Sequence, residues 1–581
     1  MYTWSLKELY NDFDDAFKND VKKVDNDLEA LIKLSNELEG EASLEKWLKL
    51  NQSLTANVSS LYAFVTFRLS TNANDTEANQ YLGQLHNLLT KQARPVALYN
   101  IWLKNHEEEL NDWIKNSELI AEHEYILRET IQHAQYTLSE DAEEIISKMK
   151  INGSSLWSQL QTQLTSVKTI EFNDETHTLT SLRNLAYHHD QDIRKGAYEK
   201  ELELYKSMDD AVAYALNGIK GEVIQTNTLR GYTSPLEETL IDSRLSKETL
   251  DALTTAIENS LPEFRKYFKH KAKTLGHEGS LPWYDLFAPY ELENAKEYSV
   301  EDSKEIILNN FGTFSDDLKE LARRSYDEAW IDFLPKEGKR GGAYCYNLPQ
   351  IKQSRIFTNY GETMSDIVTL AHELGHAYHG HMLEDNSILN TDYSMPVAET
   401  ASTFCENIVF NASLKEASDE EKIMLIESSL QDLGQITVDI LSRYKFETEV
   451  FERRQNEFLD SKALQDIMIQ AQKDTYGDGL DMEALHPFMW LNKGHYYSAG
   501  RNFYNFPYAF GGLFALGLYA QYEKEGEAFV EKYRNLLKLT ATASCEDVAK
   551  AADIDTTDVA FWESSIAQIT KRIDTYIALT K

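Results

Sequence analysis

The motif His372-Glu373-Leu374-Gly375-His376 carries the residue types that a hydrolytic metal site needs. On an α-helix, residues four apart lie one turn above each other, so His372 and His376 would present two imidazoles on one face and could bind one metal ion. Two imidazole ligands favour zinc. Glu373 would lie beside the open side of the metal, where it can take a proton from a bound water without being a ligand. The spacing therefore predicts a hydrolase site.

Chance alone rarely produces this motif in a chain of this composition. With 15 histidines and 95 acidic residues among 581, and with every acid counted as glutamate, the expectation is about 0.06 occurrences. Ile367, Leu370, Ala371 and Leu374 recur at helical spacing around the motif, which indicates a real helix. The alternative is an amphipathic helix that binds no metal.

A catalytic zinc ion needs a third protein ligand and keeps one position for water. The longer His-Glu-x-x-His-x-x-Gly-x-x-His pattern is excluded, because His379 and Met382 occupy the positions that would need Gly and His. Glu399, 27 residues after the first histidine, is the better candidate, on a second predicted helix with Pro396 in its first turn. Glu406, two turns further on the same face, is predicted to orient a histidine, the alternative being an ordinary solvated acid.

The residues around these motifs resemble a known family. Residues 369–379 (Thr-Leu-Ala-His-Glu-Leu-Gly-His-Ala-Tyr-His) and 396–407 (Pro-Val-Ala-Glu-Thr-Ala-Ser-Thr-Phe-Cys-Glu-Asn) are similar to the zinc metallopeptidases of the oligoendopeptidase F and thimet oligopeptidase family. This resemblance implies one zinc ion bound by His372, His376 and Glu399. It also implies a mainly α, two-lobed helical body around a deep channel that admits short, unstructured peptides.

The resemblance further implies that Glu373 is the general base and that a histidine and a tyrosine about a dozen residues later stabilise the oxyanion. His495 matches that histidine. Tyr508 has about the right offset, while Tyr504 and Tyr497 compete with it, and a place in an aromatic core is the alternative for each. A neutral donor aimed at an oxyanion contributes roughly 3–4 kcal/mol in other enzymes.

Two segments before the motif helix, residues 338–346 and 354–360, are predicted to be strands of a small sheet next to that helix. The pair Gly341-Gly342 would let a backbone approach closely. An exposed edge strand there can pair with an extended peptide through main-chain hydrogen bonds. A plain hairpin that supports the motif helix is the alternative.

Most of the remaining chain has helical periodicity, and a capping box at Ser5 and Glu8 predicts that the first helix begins there. Residues 167–179 instead alternate as two short strands around an Asn-Asp turn. We place a domain boundary after them. Residues 1–180 are predicted to form an N-terminal helical domain that ends in a β-hairpin, and residues 181–581 the zinc metallopeptidase catalytic domain.

Composition restricts the possible partners and the compartment. The net charge of −37 disfavours nucleic acid and anionic lipid surfaces. The chain shows no signal peptide and no apolar run long enough to span a bilayer. Its cysteines are an odd number, Cys345, Cys405 and Cys545, which is typical of a reducing compartment. We expect a cytoplasmic protein without membrane or nucleic-acid partners.

Together these features predict a zinc-dependent endopeptidase that hydrolyses internal bonds of short oligopeptides. A zinc carboxypeptidase or dipeptidyl carboxypeptidase is one alternative, and it would need a cationic residue to bind a terminal carboxylate. A non-catalytic peptide-binding protein is another, although the presence of Glu373 argues against it.

Overall fold

The structure, a computed structural model, describes residues 2–290 and 296–581. Helices make up 72% of it and its sheets are small, which confirms the predicted mainly α fold. None of the described helices combines the length and the apolar character that a bilayer crossing requires.

The helices before the first strand are α1 (Asp15–Ser35), α2 (Gly40–Thr71), α3 (Thr76–Leu89), α4 (Ala93–Asn105), α5 (Glu107–Asn116), α6 (Glu118–Glu122), α7 (Glu124–Ala134), α8 (Glu140–Asn152) and α9 (Ser154–Val167). The strands are β1 (Thr169–Phe172), β2 (Glu175–Thr178), β3 (Ile331–Asp332), β4 (Tyr344–Leu348) and β5 (Gln353–Phe357). The later helices are α10 (Leu179–Asn184), α11 (Gln191–Lys206), α12 (Asp209–Arg230), α13 (Pro235–Asp242), α14 (Lys247–Thr274), α15 (Val300–Phe314), α16 (Asp316–Asp327), α17 (Met364–Leu383), α18 (Met395–Ala398), α19 (Thr400–Glu416), α20 (Asp419–Gly434), α21 (Ile440–Arg454), α22 (Ser461–Tyr476), α23 (Phe506–Glu525), α24 (Glu527–Leu539), α25 (Cys545–Lys550) and α26 (Val559–Leu579).

The first helix begins ten residues later than its predicted capping box at Ser5, so that prediction is wrong. Asp14 caps α1 instead, accepting hydrogen bonds from backbone N–H groups of the first turn. Ser5 Oγ does donate to Glu8 Oε2 (2.8 Å), but the Glu8 carboxylate also accepts from Arg355 of β5 at 2.9 Å. A tertiary ion pair therefore holds this segment against the sheet as a turn.

The predicted hairpin at residues 167–179 is present as the antiparallel pair β1 and β2. Its turn residues Asn173 and Asp174 both have positive φ, 53° and 63°, which suits the two-residue turn of a hairpin. The Asn-Asp pair was the signal for this turn.

The second sheet has the order β3-β5-β4, so β4 is an edge strand. Strands β4 and β5 fall in the two segments predicted to be strands and pair in antiparallel orientation, although β4 begins at Tyr344, later than predicted. Gly341 and Gly342 precede β4 in a loop, and Gly342 has a φ of +87°. The glycine pair therefore forms part of the loop that leads into β4, and it does not belong to the exposed edge of the strand.

Buried apolar side chains form two large clusters in the described part of the chain. One extends in sequence from Tyr10 to Ile131 and the other from Leu179 to Tyr576. Trp157 and Leu164 of α9 pack against the second cluster, which also contains the motif helix. Helix α9 thus packs with the larger body although it precedes residue 180, and the domain division at that residue stays a prediction.

Candidate active site

Helix α17 carries the His-Glu-x-x-His motif and is fixed at its N-terminus by a capping box. Thr363 Oγ1 accepts from the backbone N–H of Asp366 (3.1 Å), and the Asp366 carboxylate accepts from the backbone N–H of Thr363 (2.9 Å). Ile367, Leu370 and Leu374 are fully buried on one face. Burial of this face fixes the rotation of the helix and thereby the direction of its histidines.

Two glycines let other elements approach α17 closely. A Cβ atom at Gly375 would lie 2.4 Å from the carbonyl oxygen of Ala401, so the absent side chain allows α19 to cross α17 at backbone contact. Gly380 leaves room in the same way for Asn347 of β4. The amide of Asn347 donates to the carbonyl oxygen of His376 at 3.1 Å, which ties the edge strand to the motif helix.

His372, His376 and Glu399 come together as the candidate metal centre. One ligand atom from each lies within 4.8 Å of the others. Glu399 Oε2 is 3.3 Å from Nε2 of both histidines. Ligand atoms of a tetrahedral zinc site, with bonds of about 2.0–2.1 Å, lie about 3.3 Å apart. The donor set and these separations therefore fit a zinc ion.

Glu399 lies at a break between α18 and α19, where a single helix was predicted. Its backbone has φ −90° and ψ 6°, and α19 begins at Thr400. The Ser402 hydroxyl donates to Glu399 Oε2 at 2.7 Å and fixes the carboxylate. As predicted from its spacing, Glu406 reaches the motif: its Oε2 lies 3.1 Å from Nδ1 of His372. That contact orients the ring so that Nε2 faces Glu399.

Electrostatics at these residues favour a cation. Burial alone would lower the pKa of His372, but the carboxylates of Glu399 and Glu406 outweigh it and raise that pKa to about 10. Burial likewise opposes ionisation of Glu399, yet the two neighbouring histidines hold the pKa of its carboxyl far below the usual value. The carboxylates therefore place the two imidazoles in a negative electrostatic potential, which attracts a cation.

Glu373 points away from bulk water and is only 6% exposed. Burial raises the pKa of its carboxyl, while the two motif histidines oppose the shift. A backbone hydrogen bond from Cys345 in β4 also opposes the shift, and Oε2 has no hydrogen-bond partner in the described structure. A buried carboxylate oxygen next to the candidate ligand His372 in sequence thus has a hydrogen-bonding position that the described protein atoms do not fill.

The structure separates the three candidate tyrosines. Tyr508, on α23, lines a cavity together with His372 and Glu399. The Tyr504 hydroxyl lies 2.9 Å from that of Tyr508, so Tyr504 contacts the site through its neighbour. Tyr497 is fully buried and donates to the carbonyl oxygen of Trp490, which makes it part of the core.

His495 lies next to Tyr504, outside the cavity that Tyr508 lines. Its ring centre is 5.8 Å from that of Tyr504, and it does not line the cavity that contains Tyr508. Burial, with help from the cations Arg443 and Lys493, lowers its pKa to about 3, so the imidazole is neutral near pH 7. Its Nε2 is buried without a hydrogen-bond partner in the described residues. The histidine that the resemblance implies as a donor is thus neutral, and it contacts Tyr504 without lining the cavity itself.

Comparison with known proteins agrees with this geometry. The profile of Peptidase family M3 matches residues 184–568, and that of Oligopeptidase F matches residues 102–167. This chain belongs to Peptidase family M3. Membership identifies it as a peptidase, and it places both motif helices and α23 inside the matched region.

Curated relatives of this M3 peptidase match over nearly its whole length. The Oligopeptidase PepF of Bacillus subtilis is 24% identical over 98% of the chain and 86% of its own length. An oligoendopeptidase F homolog of Lactococcus lactis is also 24% identical, over 98% of this chain and 97% of the relative. The similarity to both relatives therefore extends over most of each chain.

Solved structures share the fold. A putative peptidase from Chlamydophila abortus has a TM-score of 0.86 at 20% identity, covering 99% of this chain and 98% of that one. Oligoendopeptidase-F from Enterococcus faecium has a TM-score of 0.72 at 18% identity, covering 97% and 98%. The helical M3 architecture is therefore common to all three chains.

The cavity beside the candidate metal centre has a volume of about 320 Å³ and includes residues that the sequence did not indicate. Asp432 and Arg572 are the charged examples. Burial and the nearby Glu406 raise the pKa of Asp432 to about 6. Arg572 had a detectable signal, because it falls between Ile569 and Tyr576 on the apolar face of α26, where a cation is unexpected.

Proposed function

We propose that this M3 peptidase is a zinc-dependent endopeptidase that hydrolyses internal bonds of short oligopeptides. The observation that carries the proposal is the convergence of His372, His376 and Glu399 at the separations of a tetrahedral site, with the free oxygen of Glu373 beside them. The names of the curated relatives, oligopeptidase and oligoendopeptidase, support the same substrate class.

The three residues would hold one zinc ion. Zinc bound there would act as a Lewis acid that polarises a peptide carbonyl and lowers the pKa of a water molecule. Glu406 holds the His372 ring in the tautomer that presents Nε2. Ser402 orients Glu399 in a similar way, by donating a hydrogen bond to its carboxylate.

Glu373 is the proton carrier in the proposed reaction. Its carboxylate takes a proton from the attacking water as the water oxygen bonds to the peptide carbonyl carbon. It then gives that proton to the amide nitrogen as the carbon–nitrogen bond breaks, so the products are a carboxylic acid and an amine. The raised pKa of its buried carboxyl makes it a stronger base in the first step, and a pKa nearer neutral pH suits a group that both takes and gives a proton.

Tyr508 is the proposed donor to the oxyanion that forms on the carbonyl oxygen. It is the tyrosine that shares the cavity with His372 and Glu399. Tyr504 orients its hydroxyl from 2.9 Å, and His495 packs behind Tyr504 as a neutral ring. Burial raises the pKa of Tyr508 well above its usual value, so the hydroxyl keeps its proton for donation.

Strand β4 is the proposed docking edge for the substrate backbone. It is the outer strand of its sheet, it is tied to α17 through Asn347, and the backbone N–H of Cys345 contacts Glu373. Main-chain pairing at such an edge is largely independent of the peptide's side chains. We further propose a cytoplasmic location, supported by the free thiols of Cys345, Cys405 and Cys545.

The test is zinc content measured together with cleavage of a mixed peptide library, read by mass spectrometry with and without a chelator. Internal cuts that vanish with the chelator and return with zinc are expected. Cuts confined to one or two residues from the C-terminus would instead identify a carboxypeptidase or a dipeptidyl carboxypeptidase. Stoichiometric zinc without any cut would leave a peptide-binding protein.

A further inference from the structure

The cavity beside the candidate metal centre contains a cation that forms no ion pair with any carboxylate of the described residues. Arg572, on α26, lines this cavity with His372, Glu399 and Tyr508. Its Nη1 donates to the hydroxyl of Ser429 at 2.6 Å, and its Nη2 donates to the amide oxygen of Asn407 at 2.5 Å. Both partners are neutral.

Two fully buried arginines of this chain are paired with carboxylates, whereas the partly buried Arg265 and Arg454 donate to backbone carbonyl oxygens. Arg194 Nε lies 2.8 Å from Asp285, and Arg355 Nη2 lies 2.9 Å from Glu8. A buried charge is costly unless an opposite charge compensates it. Consistent with that cost, burial lowers the pKa of Arg572 to about 10, while Glu406 opposes the shift from a distance.

The guanidinium of Arg572 is held in place and yet has free donors. Its carbon atom lies 4.3 Å above the centre of the Phe410 ring, so the aromatic face and the two hydrogen bonds fix the plane of the group. A guanidinium has five N–H donors, and two are used. The remaining donors can bind a carboxylate in the planar, two-pronged geometry that arginine favours.

We propose that Arg572 anchors a subsite that binds a carboxylate of the peptide substrate, either an acidic side chain or the C-terminal carboxylate. This inference rests on the proposed peptidase function and adds a substrate preference to it. Leu433, Ile436 and Leu516 supply the apolar wall of the cavity and limit the water that would screen the pair. Arg572 thereby offsets, at one point, the field of a chain whose net charge of −37 repels acidic peptides.

The test uses a peptide that the zinc-loaded enzyme cleaves, prepared with Glu or Gln at each position in turn and with either a free or an amidated C-terminus. The Glu-to-Gln pairs report an acidic side chain, and the acid-to-amide pairs report the terminal carboxylate. In wild type we expect kcat/KM to be about tenfold higher for the charged member of at least one pair, mainly through KM. In Arg572→Gln that ratio should fall to about 1, and Arg572→Lys should retain part of it.

Lys571→Gln is the matched control, because it removes the same charge from the adjacent, exposed position of α26 and should keep the wild-type ratio. Two results would overturn the subsite: charged and neutral peptides cleaved equally well by wild type, or an equal loss on all peptides in Arg572→Gln with reduced zinc content. The second result would mean that Arg572 only positions Asn407 and its neighbour Glu406.

A binding measurement separates failure of the subsite from failure of the proposed function. Zinc-loaded Glu373→Gln is titrated calorimetrically with the same peptide pairs, and about tenfold tighter Kd for the charged member is expected. Adding Arg572→Gln should remove that difference. If wild type cleaves nothing but this preference is present, the subsite stands and the peptidase proposal fails. Equal Kd values for the pairs overturn the subsite whether or not cleavage occurs.

Discussion

Among single residues, Glu373 is the one that would distinguish a hydrolase from a protein that only binds a metal ion, because its carboxylate has an unpaired oxygen. We predict that Glu373→Gln keeps zinc, because none of the three ligand atoms changes, and lowers kcat by about 10²–10⁴-fold, the range for loss of a general base. Zinc analysis and peptide turnover measure the two effects. The exposed Glu416→Gln, at the end of α19, is the control and should match wild type. Full turnover in Glu373→Gln would rule out its role as proton carrier.

Tyr508 and Tyr504 can be distinguished by removing one hydroxyl at a time. Tyr508→Phe should lower kcat by about 10²–10³-fold, as the loss of an oxyanion donor does elsewhere, with little change in KM. Tyr504→Phe removes only the 2.9 Å contact to Tyr508 and should cost less than about tenfold. Steady-state kinetics on one internally cleaved peptide compares them. A larger loss in Tyr504→Phe would reverse the two roles.

Local spacing explains which site residues could be predicted. His372 and His376 lie one helical turn apart, so the sequence alone determines that they share a face. The choice among the tyrosines depends on how the loop after His495 folds, which periodicity does not encode. Arg572 was missed as a site residue because it lies on α26, far along the chain from α17, α19 and α20, which line the same cavity.

At the scale of elements, the contact between α17 and α19 brings Glu399 to the histidines. We predict that Gly375→Ala destabilises the protein by about 3 kcal/mol, because the new Cβ would lie 2.4 Å from the Ala401 carbonyl oxygen and 2.6 Å from Ser402 Cα. Forcing the helices apart should also weaken zinc binding. Chemical denaturation and zinc titration measure these effects.

Gly83→Ala is the matched control for that substitution. Gly83 lies within α3, and a Cβ atom there meets nothing within 4 Å. Alanine should therefore stabilise the protein by about 0.5–1 kcal/mol through its higher helix propensity. Destabilisation of equal size in both variants would show that the α17–α19 contact is not special.

Elements with a strong local signal were predicted well, and those under tertiary control were not. The hairpin at residues 167–179 followed from its Asn-Asp turn. No helix begins at Ser5, because Glu8 instead pairs with Arg355, which is 347 residues away in sequence. The break at Glu399 had no signal either, since Met395–Ala398 and Thr400–Glu416 are both compatible with one continuous helix.

At the scale of the whole molecule, buried neutral histidines couple folding to pH. His379 of α17 is fully buried, stacks on Tyr393 with ring centres 4.0 Å apart and contacts the Thr540 hydroxyl at 2.7 Å. Burial lowers its pKa to about 3. In the unfolded chain a histidine has a pKa near 6.5, so below that pH the unfolded state binds a proton that the folded state does not.

The stability contributed by neutral His379 is therefore present above about pH 6.5 and is lost as the pH falls toward 3. From pH 7.5 to 5.0 this one group should lower the free energy of unfolding by about 2 kcal/mol. In His379→Phe, which keeps the stacking on Tyr393, the same pH change should cost about 2 kcal/mol less than in wild type. Denaturant titrations of both proteins in the metal-free form measure the two costs without a contribution from zinc release. Equal costs would mean that His379 is already charged in the folded state, for which the surrounding apolar packing gives no compensation.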